Sequence, residues 1–202
     1  GELRTACMNF IGGSEIVVGS VAWLTDPDII KVLSRRFVAL TVQKENWWKK
    51  TDARGQRLAK GYASLQGGLP ASAFPEPLAH HGDVMLAPIA CVGYSGGTPF
   101  SPLHHHKFLV RCRVAGGTGK LVADALWTGS FNLTKNASEG FENAVEIHDP
   151  IIANAYLHEF ALMAAMSEPM NWRRAQPDPH GLGTVFKVKS GATRAPRARV
   201  SR

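Results

Sequence analysis

The sequence predicts an α/β fold: a mixed β-sheet, largely parallel at its start, with helices on both faces. Three observations carry this. Two runs rich in β-branched residues, EIVVGSVAWL (15–24) and FVALTVQ (37–43), flank a well-punctuated helical segment. That order reads as a βαβ unit, which joins parallel strands. A second pair of apolar runs, KFLVRCRV (107–114) and LVADALWTG (121–129), is joined by the Gly-rich turn AGGTGK, as in a β-hairpin.

Each element has its own local reason. In TDPDIIKVLSRR, Asp26 is a natural N-cap, Pro27 suits the first helical position, and the basic residues at the end complement the helix dipole. The stretch 44–83 is the least legible, with a basic, partly helical segment (TDARGQRLAKGYASLQ) followed by a Gly/Pro/Ala-rich loop. DVMLAPIACVGYSGG contains another strand ending in a turn, and FENAVEIHD a short one. Asp149 and Pro150 start a helix to about Ser167, with Ile152, Tyr156, Phe160 and Met163 near one face. From Gly181 onward the chain has six basic residues and no acidic one. This reads as an extended segment and a basic tail, either solvated or lying along phosphates. The expected organisation is a catalytic domain over 1–170 and a basic C-terminal extension over 171–202.

A chain of 202 residues, 45% hydrophobic and 19% charged, is enough for one ordinary globular domain. Its net charge of +7 and pI near 9.6 favour an anionic partner, nucleic acid or anionic lipid. Cys7, Cys91 and Cys112 are odd in number and widely spaced, which argues against a disulfide framework or thiolate zinc site and for a reducing, cytoplasmic setting. No apolar run approaches the roughly 18 residues a membrane span needs. The opening GELRTACMNF lacks a signal-peptide layout, and also lacks an initiator Met.

Several motifs compete for a functional reading. GGTGK (116–120) falls short of a phosphate-binding P-loop, because Val114 and Leu121 occupy the positions that need Gly and Ser/Thr. His80, His81 and Asp83 offer metal-ligand chemistry without a compact partner set, so no metal or cofactor is expected. Trp47 and Trp48, followed by Lys49 and Lys50, combine stacking with charge, as a nucleic-acid contact would, or else pack a core edge.

The strongest pattern joins HHK (105–107), TGSFNLT (128–134) and ENAVEI (142–147). On an alternating strand His105 and Lys107 share a face and His106 points the other way. Ser130 and Asn132 likewise share a face near a tight Gly turn. These are the parts needed to handle a phosphodiester. A neutral imidazole can attack phosphorus, Lys107 and Asn132 can stabilise charge on the phosphoryl oxygens, and a carboxylate such as Glu142 can hold the imidazole's other nitrogen.

His105-x-Lys107, then Gly129-Ser130-x-Asn132, then Glu142-Asn143 resembles the signature of the phospholipase D superfamily, and most closely its small bacterial endonucleases with one motif per chain. The similarity runs in family order from VAWLTDPDIIKVL to the closing helix. It implies a covalent phosphohistidine formed without a metal, with a second HxK histidine protonating the leaving group. Only His105 has lysine two positions later, so one chain holds half a site and the resemblance implies a homodimer. One position departs: where the family motif usually has aspartate, five residues after the lysine, this chain has Cys112.

The expected function is therefore a metal-independent phosphodiesterase acting on nucleic acid, with His105, Lys107, Ser130, Asn132 and Glu142 catalytic and Lys107, Ser130, Asn132, Trp47 and Lys49 contacting substrate. The alternatives are a phospholipase or lipid-phosphate transferase of the same chemistry, against which stands the lack of an amphipathic membrane helix, and a catalytically silent nucleic-acid-binding module.

Overall fold

The computed structural model describes residues 1–45, 53–93 and 103–172. Its centre is a mixed sheet. β1 (Ile16–Val21), β2 (Phe37–Gln43) and β3 (Ile89–Val92) run parallel, while β4 (Lys107–Val114), β5 (Leu121–Gly129), β6 (Ala144–Ile147) and β7 (Glu168–Pro169) add antiparallel neighbours. Among the described residues the strand order is β6-β5-β4-β1-β2-β3-β7. The predicted βαβ unit is present, with α2 (Pro27–Leu33) as its crossover. The predicted hairpin joins β4 and β5, and its turn uses Gly117 and Gly119 at positive φ.

Helices lie on both faces, and side-chain alternation sorts the core between them. α1 (Glu2–Gly12), α2 and α3 (Ala53–Ala63) pack over one face, where Cys7, Ile29, Leu58, Val17, Leu40 and Leu109 form one cluster. α4 (Pro150–Ala165) and two short 3₁₀ turns, Ala71–Ala73 and Leu78–His81, cover the other, with Val18, Phe108, Val110 and Leu157. Phe74 from this loop meets Phe160 of α4 with ring centroids 5.6 Å apart. A bulge opposite Arg111/Cys112 leaves Asp124 as the extra residue of β5, so the inward positions change parity from Ala123 to Leu126. Arg111 Nε donates to the Asp124 carboxylate at 2.6 Å, satisfying the residue the bulge turns out.

Asp26 caps α2 as its sequence position suggests. Its Oδ1 accepts from the backbone N–H of Asp28 and Ile29, and Arg4 of α1 donates to both of its oxygens. Asp149 caps α4 in the same way, with Pro150 following.

Helix α1 forms in a stretch whose sequence predicts no element, and two expectations need correction. Strand β1 stops at Val21, and Leu24 instead bridges Leu133, because the chain turns there to enter α2. On α4 the buried residues are Ala153, Leu157, Phe160, Ala161 and Ala164, whereas Ile152 is exposed. The small alanines let that face approach the sheet closely, so the packed stripe is rotated from the one its large residues suggest. The extended segment and tail read from Gly181 onward lie outside the described residues.

Candidate active site

The end of β1, the start of β4, the end of β5 and the start of β6 meet at one edge of the fold. The register does this: Val21 pairs with Lys107, Phe108 with Thr128, and Gly129 with Ala144. Lys107 and Thr128 are twenty-one residues apart along the chain, and strand pairing brings the first motif beside the other two.

The histidine run divides between the two faces of the sheet. His104 and His106 stack with centroids 5.6 Å apart, and His106 meets the edge of Phe108, all on the α4 side. His105 and Lys107 occupy the opposite side, where both touch Trp23. The rings of His105 and Trp23 meet edge-on at 5.9 Å, and Lys107 Nζ sits 5.9 Å from the Trp23 ring centroid. His105 is exposed, and Lys107 Nζ donates to the His105 carbonyl at 3.0 Å.

Beneath the run lies a buried polar network. His104 Nε2 is 2.7 Å from Ser20 Oγ, which is 2.6 Å from Thr41 Oγ1, and the His104 backbone N–H donates to Gln43 Oε1 at 2.7 Å. Burial, reinforced by the positive charges of its neighbours His106, Lys107 and His105, pushes the His104 pKa down to about 3. His104 is therefore a neutral anchor that fixes the backbone immediately before His105. Gly93 packs against this anchor so closely that a Cβ there would lie 2.6 Å from both Gln43 Oε1 and His104 N.

The second motif is built by the β5–β6 pair. The Ser130 N–H donates to the Asn143 carbonyl at 2.9 Å, the Asn143 N–H donates to Ser130 Oγ at 3.0 Å, and the Ser130 hydroxyl donates to Glu142 Oε2. Gly129 is required here, because a Cβ would stand 2.2 Å from the Asn143 carbonyl oxygen. Burial lowers the pKa of Lys107, while the negative charge of Glu142 opposes that shift. Asn132 Oδ1 is buried and takes no hydrogen bond among the described residues. Trp47 and Lys49 lie outside the described residues.

No family model matches the chain. An uncharacterized protein of Acanthamoeba polyphaga mimivirus is 26% identical over 192 residues, covering 85% of this chain, which in turn spans 66% of that protein. Among solved structures, a phospholipase D family member, Nuc from Salmonella typhimurium, superposes with a TM-score of 0.51 at 18% identity, covering 85% of this chain and 91% of Nuc. NucT from Helicobacter pylori does so with a TM-score of 0.56 at 11% identity, covering 84% and 91%. The chain has the phospholipase D fold.

Within this phospholipase D fold, Cys112 stands at the far end of the motif strand. It pairs with Ile16 while Lys107 pairs with Val21, a separation of about 17 Å along five residues of strand. Its side chain is buried in the apolar cluster under α4, which pushes its thiol pKa up. Cys112 therefore packs on the back face, away from the histidine–lysine pair.

Trp23, Ser20, Gln43 and Glu45 belong to the site's surroundings and were not singled out from sequence. Trp23 Nε1 donates to Glu45 Oε1 at 2.7 Å, which holds the indole beside His105. The signal available was positional: Trp23 and Glu45 each follow the carboxyl end of a parallel strand, where open α/β sheets bind ligands. His80 and Asp83 sit elsewhere, engaged with Glu76 and Ser72. Among the described residues no group of three or more His, Cys, Asp or Glu side chains is placed to hold a metal ion.

Proposed function

We propose that the protein is a metal-independent phosphodiesterase that cleaves nucleic acid endonucleolytically, as a homodimer whose two His105 residues share one site. The observation that supports this reading is the meeting of an exposed His105 and a half-buried Lys107 with the Ser130–Glu142 pair at one sheet edge of a phospholipase D fold. A net charge of +7 supports a polyanionic substrate. Residues 1–170 form the catalytic unit in this reading, and the basic segment 171–202, with Trp47 and Lys49, adds contacts to the substrate backbone.

The neutral imidazole of His105 attacks phosphorus. The bond to the leaving nucleoside oxygen breaks, its electron pair stays on that oxygen, and the partner subunit's His105 donates the proton. Water then attacks the phosphohistidine, the N–P bond breaks, and the partner subunit's His105 accepts the water proton, which regenerates both residues. Lys107, Ser130 and Asn132 stabilise the phosphoryl oxygens as charge builds there. Glu142 holds the other nitrogen of the imidazole. A carboxylate has about four acceptor sites, so it can keep its Ser130 hydroxyl at the same time.

The decisive assay is cleavage of plasmid DNA in excess EDTA by wild type and His105→Ala. Cutting that persists with EDTA and disappears in the variant is expected. Binding without cutting would favour a silent nucleic-acid-binding module. Activity confined to phospholipid vesicles would favour lipid chemistry; no helix among the described residues is long and apolar enough to cross a membrane.

A further inference from the structure

A cleft of about 780 Å³ opens beyond the carboxyl ends of β1 and β2, on the same face as His105. Trp23 belongs to both: it forms one wall of the cleft and touches His105 and Lys107 with its other contacts. Ile30 of α2 and Leu58 of α3 supply the apolar floor, while Arg54 and Arg57 of α3 and Lys135 from the turn after the Ser130–Asn132 motif bring three cations to it. Among the described lining residues the single carboxylate is Glu45, which is engaged by the Trp23 indole N–H.

We propose that this cleft is the binding subsite for the unpaired nucleotide flanking the scissile phosphate. The inference rests on the phosphodiesterase reading for the position of that phosphate. The volume falls in the range of about 300–1,000 Å³ typical of small-ligand sites. An aromatic wall and an apolar floor suit the flat face of a base, and cations at the lining suit the next phosphates along the strand. A paired base keeps its faces inside the stack, so a duplex can offer this cleft only phosphates; a single strand can place a base in it. The site is thereby built to favour single-stranded substrate, and α3 decides that preference rather than the catalytic motif.

The test uses the full chain with His105→Ala, so that substrate is bound and not consumed, and fluorescence anisotropy with a labelled single-stranded 12-mer and the duplex of the same sequence. Tighter binding of the single strand is expected. Adding Arg54→Gln and Arg57→Gln, both on exposed positions, should weaken single-strand binding at least tenfold while changing duplex binding less than threefold. In a background with His105 intact, the same pair should lose at least tenfold more kcat/KM on the single strand than on bis(p-nitrophenyl) phosphate, which has no flanking nucleotide. Equal weakening for single strand and duplex, or binding to phosphatidylglycerol vesicles in place of oligonucleotide, would overturn the subsite. A protein that binds the single strand through the two arginines but hydrolyses neither substrate would refute the phosphodiesterase reading and leave the cleft as a site for an unpaired nucleotide.

Discussion

His104 and Ser20 form a buried pair, ring nitrogen Nε2 against hydroxyl at 2.7 Å, that ties the histidine run to the central strand β1. Nδ1 of the same ring is buried with no hydrogen-bond partner among the described residues, so a protonated ring would leave an unsatisfied donor as well as a buried charge. This gives a pH prediction. The unfolded chain takes up a proton at His104 below about pH 6.5, whereas the folded protein keeps the ring neutral down to about 3. Between those values the unfolded state binds more protons, so stability falls as pH falls. Going from pH 7 to pH 5 should cost about 2 kcal/mol through this residue alone. Urea unfolding of wild type and His104→Asn at the two pH values measures the difference in slope. Identical pH dependence in both proteins would rule the account out.

Asp26 is fully buried between the start of α2 and Arg4 of α1. Burial works to raise its pKa, but the Arg4 guanidinium and the N–H groups of Asp28 and Ile29 outweigh it, and the net shift is downward. Its ionised form therefore stabilises the fold above the ordinary aspartate range, and that stability is lost as pH falls through the lowered value. Asp26→Ala removes the cap and strands Arg4, at a cost of about 3–5 kcal/mol. Asp26→Asn keeps an oxygen for the cap and should cost less. If the ion pair contributed nothing, Asp26→Asn would unfold at the wild-type denaturant midpoint.

Gly129→Ala should separate folding from catalysis. The added methyl meets the Asn143 carbonyl and forces apart the strands that hold Ser130 against Glu142. A displacement near 1 Å at a reacting site can cost about 100-fold in rate. We expect a loss of that order in kcat, with far-UV circular dichroism close to wild type. Unimpaired turnover would show that this pair does not position the phosphate.

Cys112→Asp introduces the residue usual in the phospholipase D motif that the sequence resembles, yet it should not raise activity. Here the position is buried among Ile16, Val18 and Val110, at the end of the strand remote from Lys107. An unpaired carboxylate in that cluster costs several kcal/mol or becomes protonated. A lowered melting temperature with unchanged or reduced cleavage is expected. A gain in both stability and activity would contradict the placement.

A dimer-shared site predicts a dominant defect. Wild type unfolded and refolded with excess His105→Ala forms heterodimers with one competent histidine, and activity should drop far below the wild-type fraction present. Activity that stays proportional to the wild-type content would assign the whole reaction to a single chain.

What the sequence determined by itself was local. Strands β1, β2, β4 and β5, the caps Asp26 and Asp149, and the division of His105 and Lys107 from His106 all follow from periodicity and capping chemistry within a few residues. The short 3₁₀ turns of the 71–81 stretch, the alanine-lined face of α4 and the helix α1 were not legible, because small residues and Gly/Pro loops take their places from what they pack against. The companions of the histidine run were decided only by the tertiary structure. Ser20, Thr41 and Gln43 look like ordinary strand residues until β1 and β2 bring them under His104. Trp23 gains a role only where the carboxyl end of β1 meets the start of β4. Strand pairing is non-local: the register between β1 and β4 spans more than eighty residues of chain, and no pattern within either strand specifies what the other will present to it.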